Sequence, residues 1–169
     1  MIPKSIDHLT EAQWERFNHC YDILKMSYEN GTWFRDSAKL AVTRSFYMHC
    51  KSFKTGFISN TAWLNKQKGI KPTFDHCFIP QLYCFYIMKY WKSIGISLET
   101  FFPHWTTAST GNEVSSKENK KLSKYTVNDI STDKLLKVKV PLVDRYKKAG
   151  ITILDAETLK EVDFNVIGN

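Results

Sequence analysis

The chain of 169 residues has no apolar run approaching the roughly 18 residues of a membrane-spanning helix. Its longest, Cys77 to Met88, is broken by Pro80 and Gln81. The first residues, Met1-Ile2-Pro3-Lys4-Ser5-Ile6-Asp7, lack the apolar stretch and small-residue site of a secretory signal. No Gly-rich phosphate loop, Ser nucleophile elbow or dinucleotide fingerprint is present, which argues against the enzyme classes built on them. The four cysteines, Cys20, Cys50, Cys77 and Cys84, include no CxxC pair, so reduced thiols in a cytoplasmic protein are expected. Three of them follow a histidine, at His19-Cys20, His49-Cys50 and His76-Cys77. Those intervals match no zinc finger or ribbon, and structural zinc is not expected.

Acidic residues are missing from one long stretch as well. Between Ser37 and Phe74 there are seven lysines or arginines and no acid. From Ser115 to Lys148 ten basic residues stand against four acidic ones. Stretches 1–36, 75–114 and 149–169 carry −2, −1 and −3, so the net +7 is concentrated in two blocks. Concentrated positive charge attracts polyanions irrespective of their sequence, and nucleic acid is the partner it favours. A membrane partner is not expected.

The length suits one domain, divided into a helical region 1–70, a unit at 71–126 and a strand-rich region 127–169. Apolar spacing predicts helices over 11–28, 37–53 and 61–68, the first ended by Asn30-Gly31 and the last by Gly69. Lys71-Pro72-Thr73-Phe74 reads as extended. Pro80 opens a helix running to about Ile94, apolar nearly all round and therefore expected in the core. The aromatic and β-branched stretch 97–107 reads as a strand interrupted at Pro103, and 108–112 as a turn. Ser115 or Ser116 caps a following helix, with Glu118 in its first turn. Leu135–Val140 alternates as a half-exposed strand, Pro141 opens a short helix ending at Gly150, and 151–167 reads as a closing hairpin.

Two segments concentrate chemical groups: Thr73-Phe74-Asp75-His76, and Thr106-Thr107 leading to Glu118-Asn119-Lys120-Lys121-Leu122-Ser123-Lys124. Over about residues 72–126 the chain resembles the HNH (His-Me finger, ββα-metal) endonucleases. In that family a strand ends in Asp-His or His-His, a second strand follows, and a helix returns an Asn or His to the metal. The element pattern and the resemblance together make an α+β fold expected: a helical N-terminal half, a small C-terminal strand element and, as the resemblance implies, a ββα-metal-like unit. The resemblance implies a metal-dependent endonuclease that hydrolyses nucleic acid, DNA in preference to RNA, using Mg²⁺ or another divalent cation. His76 would be the general base, Asp75 and Asn119 the metal ligands, and Lys120, Lys121, Lys124 and Lys71 the phosphate-binding residues. The interval from His76 to Asn119 is long for the family, as though a whole apolar helix were inserted after Asp-His. Asn112 is the alternative for the ligand or for the residue that orients His76, and His104 the alternative base. Both a monomer and a homodimer fit, and a phage or mobile element would suit such an enzyme.

Other readings compete. A non-catalytic nucleic-acid-binding protein needs only the basic blocks and some of Trp33, Phe34, Phe46, Tyr47, Phe53, Phe57 and Trp63 as stacking surfaces. Arg44 and His49 match the R-x4-H spacing of the metal-independent HEPN ribonucleases, which the strand-rich second half fits poorly. Glu118-Asn119-Lys120 satisfies the E-x-K of PD-(D/E)xK nucleases, in a stretch read as helix rather than strand.

Overall fold

The computed structural model describes residues 2–77, 80–91, 97–125 and 142–162. In chain order its helices are α1 (Glu11–Glu29), α2 (Asp36–His49), α3 (Asn60–Gln67), α4 (Pro80–Lys89), α5 (Leu98–Ala108), α6 (Ser116–Leu122) and α7 (Leu142–Lys148). The strands are β1 (Phe53–Ser59), β2 (Thr73–His76), β3 (Thr110–Val114) and β4 (Ile153–Asp155). The fold is α+β, with a helical N-terminal region and one mixed four-stranded sheet. Among the described residues no helix is long and apolar enough to cross a membrane. The chain divides into two compact units. One comprises Ile2–Phe53 and Phe78–Thr110; the other comprises Met1, Lys54–Cys77 and Gly111–Asn169. The segment 71–126 singled out in the sequence therefore runs through both.

In the helical unit, α1 begins at a Thr10–Gln13 capping box and ends at Asn30, before Gly31 at φ +73°. Phe17, Cys20, Leu24 and Ser27 form its buried stripe, spaced as a helix requires. Phe17, Cys20 and Leu24 pack in one core with Val42 and Phe46 of α2, Ile87 and Met88 of α4, and Phe101, Phe102, Trp105 and Ala108 of α5. Trp105 is the centre of an aromatic cluster, edge-on to Phe17 and Phe53 at 5.3 Å each. Such pairs add to the burial of their large apolar area.

Two expectations are corrected here. Residues 98–108 are helix, not strand: Phe101, Phe102, Trp105 and Ala108 are buried at helical spacing. Ser97 caps the start by accepting the Thr100 amide, and Pro103 is carried inside, its carbonyl taking the Thr106 and Thr107 hydroxyls. Helix α2 stops at His49 rather than at 53. Cys50 caps it, and Phe53, which continues the apolar spacing of Phe46 and Cys50, begins β1 instead. The amides of Ser52 and Phe53 both donate to the Ser109 carbonyl.

The sheet unit has strand order β2-β3-β1-β4, so β2 is an edge. β2 and β3 are antiparallel with Asp75 opposite Asn112 and His76 opposite Gly111; the segment 108–112, expected as a turn, thus supplies part of β3. β1 and β4 are also antiparallel, with Ile58 opposite Leu154. Helix α3 starts at Ser59, whose hydroxyl accepts the Ala62 amide, and ends before Gly69 at φ +78°. Val114, Leu122, Tyr146, Ala149, Ile151 and Ile153 form this unit's own core. The short helix expected before Gly150 is α7, and a bridge between Leu154 and Glu161 closes the C-terminal turn. The strand expected at 135–140 and the residues beyond 162 lie outside the described residues.

Gly111 is the tight point of the β2–β3 pair. A Cβ there would stand 2.5 Å from Phe74 Cζ and 2.6 Å from the Asp75 carbonyl oxygen. The second neighbour is backbone, so the strands themselves would have to part. Gly111→Ala should therefore destabilise the sheet unit by about 1–3 kcal/mol, the usual effect of overpacking. A urea titration checks this, and an unchanged midpoint would show that the strand pair has slack.

Candidate functional site

Neighbouring strand residues face opposite sides of a sheet. Asp75 and Asn112, paired across β2 and β3, therefore share one face. His76 shares the other with Phe74, and the two rings meet edge-on at 5.0 Å. The Asp-His pair thus straddles an edge strand instead of converging on one face. Asp75 is 6% exposed and His76 8%.

On its face, Asp75 is the centre of a buried polar network. Arg145 Nη2 donates to Asp75 Oδ2 at 2.5 Å and to the His76 carbonyl at 3.2 Å. The Tyr146 hydroxyl donates to the same carboxylate oxygen. Asn112, 1% exposed, donates from Nδ2 to the Tyr146 oxygen at 3.1 Å. Its Oδ1 accepts the Thr55 hydroxyl at 2.6 Å and the Cys77 thiol at 3.8 Å. Burial pushes the Asp75 carboxyl up; the Arg145 charge and the hydrogen bonds from Tyr146 and Arg145 oppose this without cancelling it. Burial, then the Asp75 charge, raises the Tyr146 hydroxyl and pushes the Cys77 thiol up to about 12. Cys77 is therefore a thiol at neutral pH, not a nucleophilic thiolate.

Helix α6 follows β3 directly and packs against β2. Ser115 starts it through a capping box: the Glu118 amide donates to Ser115 Oγ, and the Ser115 amide to Glu118 Oε2 at 2.9 Å. Ser59 Oγ also donates to Glu118 Oε2, at 2.5 Å. Burial would raise the Glu118 carboxyl, but the hydrogen bonds from Ser59 and Ser115 outweigh it and hold it below its usual value. Glu118 is thus committed to structure, and its E-x-K neighbourhood is helical. Asn119 is half-buried, and among the described residues nothing hydrogen-bonds its side chain. Lys120 and Lys124 are exposed, as is Lys71 just before β2. Lys121 donates to the Ala149 carbonyl and so helps to end α7. On the sheet, Glu113 pairs with Lys54 at 2.6 Å and lies 3.9 Å from Lys66.

His104 belongs to the helical unit, where Tyr83 Oη lies 3.4 Å from its Nδ1 and burial lowers its pKa. Arg44 and His49 both lie on α2, but five residues turn a helix through about 140°, so they leave it in different directions. His49 instead meets His19 of α1, with ring centroids 3.9 Å apart.

The strands and the network bring together Asp75, Asn112, Arg145 and Tyr146, and the last two have no part in the sequence reading. A signal for Arg145 existed. It is the one arginine in a block of ten basic residues, and a guanidinium is the cation suited to a buried carboxylate. Compared with family models, with curated proteins and with solved structures, the chain matches none.

Proposed function

We propose that this protein acts on nucleic acid, hydrolysing phosphodiester bonds with a unit made of β2, β3 and α6. The observation that carries the reading is the strand–strand–helix succession itself. An Asp-His strand lies antiparallel to a strand that runs straight into a helix carrying an amide and exposed lysines. The long interval between them is taken up by Phe78–Thr110, which belongs to the helical unit.

The donor set suits a hard divalent cation. Asp75 Oδ1 has no partner among the described residues, since Arg145 and Tyr146 both use Oδ2. The Asn119 amide likewise has none. Among the described residues no three His, Cys, Asp or Glu side chains come together as metal ligands, so such a site rests on one carboxylate and one amide. Oxygen ligands with water completing the shell are what magnesium accepts. When bound, such a cation supplies neutralisation of the charge growing on the phosphoryl oxygens. In this reading Asp75 and Asn119 hold it, and Arg145 fixes the Asp75 carboxylate by occupying its other oxygen. His76 takes the proton from the attacking water across the edge of β2, and Lys120 and Lys124 hold flanking phosphates.

A second reading is non-catalytic binding of nucleic acid. The charge of Asp75 is already shared with Arg145, and both Asp75 and His76 are nearly covered, whereas the lysines of α6 are open. Incubation with duplex DNA and Mg²⁺, with and without EDTA, separates the two. EDTA-sensitive cleavage supports the first, and binding without cleavage supports the second. In either case affinity should fall steeply with salt, by about 0.9 log units per neutralised phosphate per log unit of salt. Replacing Lys120 and Lys124 together should flatten that slope by up to about 2 and weaken all sequences alike. Lys121, occupied by Ala149, should matter less. Absence of binding to several DNA and RNA substrates at about 0.1 M salt would overturn both readings.

A further inference from the structure

We propose that the helical unit carries a second site, which binds a phosphoryl group at the edges of the paired His19 and His49 imidazoles, beside the Arg16 guanidinium. Arg16 and His19 are one turn apart on α1 and therefore share a face. His49 closes α2, which packs on α1, and its ring meets that of His19 at 3.9 Å, tilted by 44°. Arg16 Nη1 donates to the Lys51 carbonyl at 2.7 Å, which anchors the guanidinium and leaves its other N–H groups available.

Three basic side chains thus gather where α2 ends. Among the described residues none of them forms an ion pair with a carboxylate, and neither imidazole has a hydrogen-bond partner. Partial burial holds His49 below its ordinary pKa, and His19 and Arg16 add to this as positive neighbours. An anion would relieve that repulsion while accepting hydrogen bonds from ring N–H and guanidinium groups. Phosphoryl oxygens make such charge-assisted bonds well. Two imidazoles also suit a transition-metal ion, but here the ion would sit beside the Arg16 guanidinium. The charge therefore selects an anion. None of these residues belongs to the β2–β3–α6 unit, so the proposal stands or falls separately from the nuclease reading.

The test is NMR observation of the histidine ring protons of the full chain at about pH 6.5, near the ordinary imidazole pKa. His19→Gln and His49→Gln assign the signals. Titration with inorganic phosphate, against chloride at equal ionic strength, should shift His19 and His49 saturably and leave His104 in place. Arg16→Gln, at an exposed position, should weaken the effect by on the order of tenfold, the loss of one charge-assisted hydrogen bond. A single-stranded oligonucleotide lacking terminal phosphates forms a second arm. Saturable shifts of the same signals there identify a backbone phosphodiester as the ligand, whereas shifts with phosphate alone identify a free phosphate group. No saturable shift with either overturns the proposal, and so does a response to Zn²⁺ alone.

Discussion

Arg145→Met should destabilise the sheet unit by about 3–5 kcal/mol, the usual consequence of removing one partner of a buried ion pair. Its guanidinium is the cation on Asp75 at 2.5 Å, and it also holds the His76 carbonyl. Without it the Asp75 carboxylate is left with Tyr146 alone, in a setting where burial already disfavours its charge. Asp75→Asn alone leaves the buried Arg145 without its counter-charge, but the amide oxygen still accepts from Tyr146 and Arg145, so it should cost less. The double variant, Arg145→Met with Asp75→Asn, should recover part of the loss, since neither charge is then buried unpaired. Urea denaturation of the four proteins gives the coupling directly. Equal midpoints for wild type and Arg145→Met would show that water already screens the pair, and the buried network would lose its structural role.

That network also marks the limit of what the sequence displays. The starts of α1, α3 and α6 were legible because they are local: Thr10, Ser59 and Ser115 each accept an amide three residues on. The β2 strand was legible from Pro72 and its β-branched and aromatic neighbours. Strand β1 was hidden because Phe46, Cys50 and Phe53 keep helical spacing, and only a non-local contact, the Ser109 carbonyl, ends the helix before Phe53. Helix α5 was misread because β-branched and aromatic composition outweighed the 101, 102, 105, 108 spacing that was also present. At the site, Asp75, His76 and the helix of Asn119 are neighbours in the expected order of elements. Arg145 is not, because it lies seventy residues from Asp75 and nothing local announces the contact. The alternation of side chains along β2 was available from the sequence and would have placed Asp75 and His76 on opposite faces.

His76→Ala should lower the rate of DNA cleavage by about 10²–10⁴-fold while leaving DNA affinity little changed. In the proposed mechanism the general base acts on the attacking water, whereas affinity would come from lysine–phosphate contacts that do not involve His76. The imidazole is 8% exposed and packs edge-on against Phe74, so alanine also leaves a space in β2. His76→Gln, closer in volume, controls for that space and should be equally inactive while melting nearer to wild type. Added imidazole should restore part of the activity of His76→Ala and none of that of His76→Gln, where the space is filled. His104→Ala tests the alternative base. Because His104 sits in the helical unit against Tyr83 and Tyr86, its loss should leave cleavage near the wild-type rate. Full cleavage by both His76 variants, with loss in His104→Ala, would move the chemistry off β2 and overturn the ββα assignment. Full cleavage by all three would leave neither histidine as the base and would direct the search to the His19–His49 pair, where two rings already meet beside Arg16.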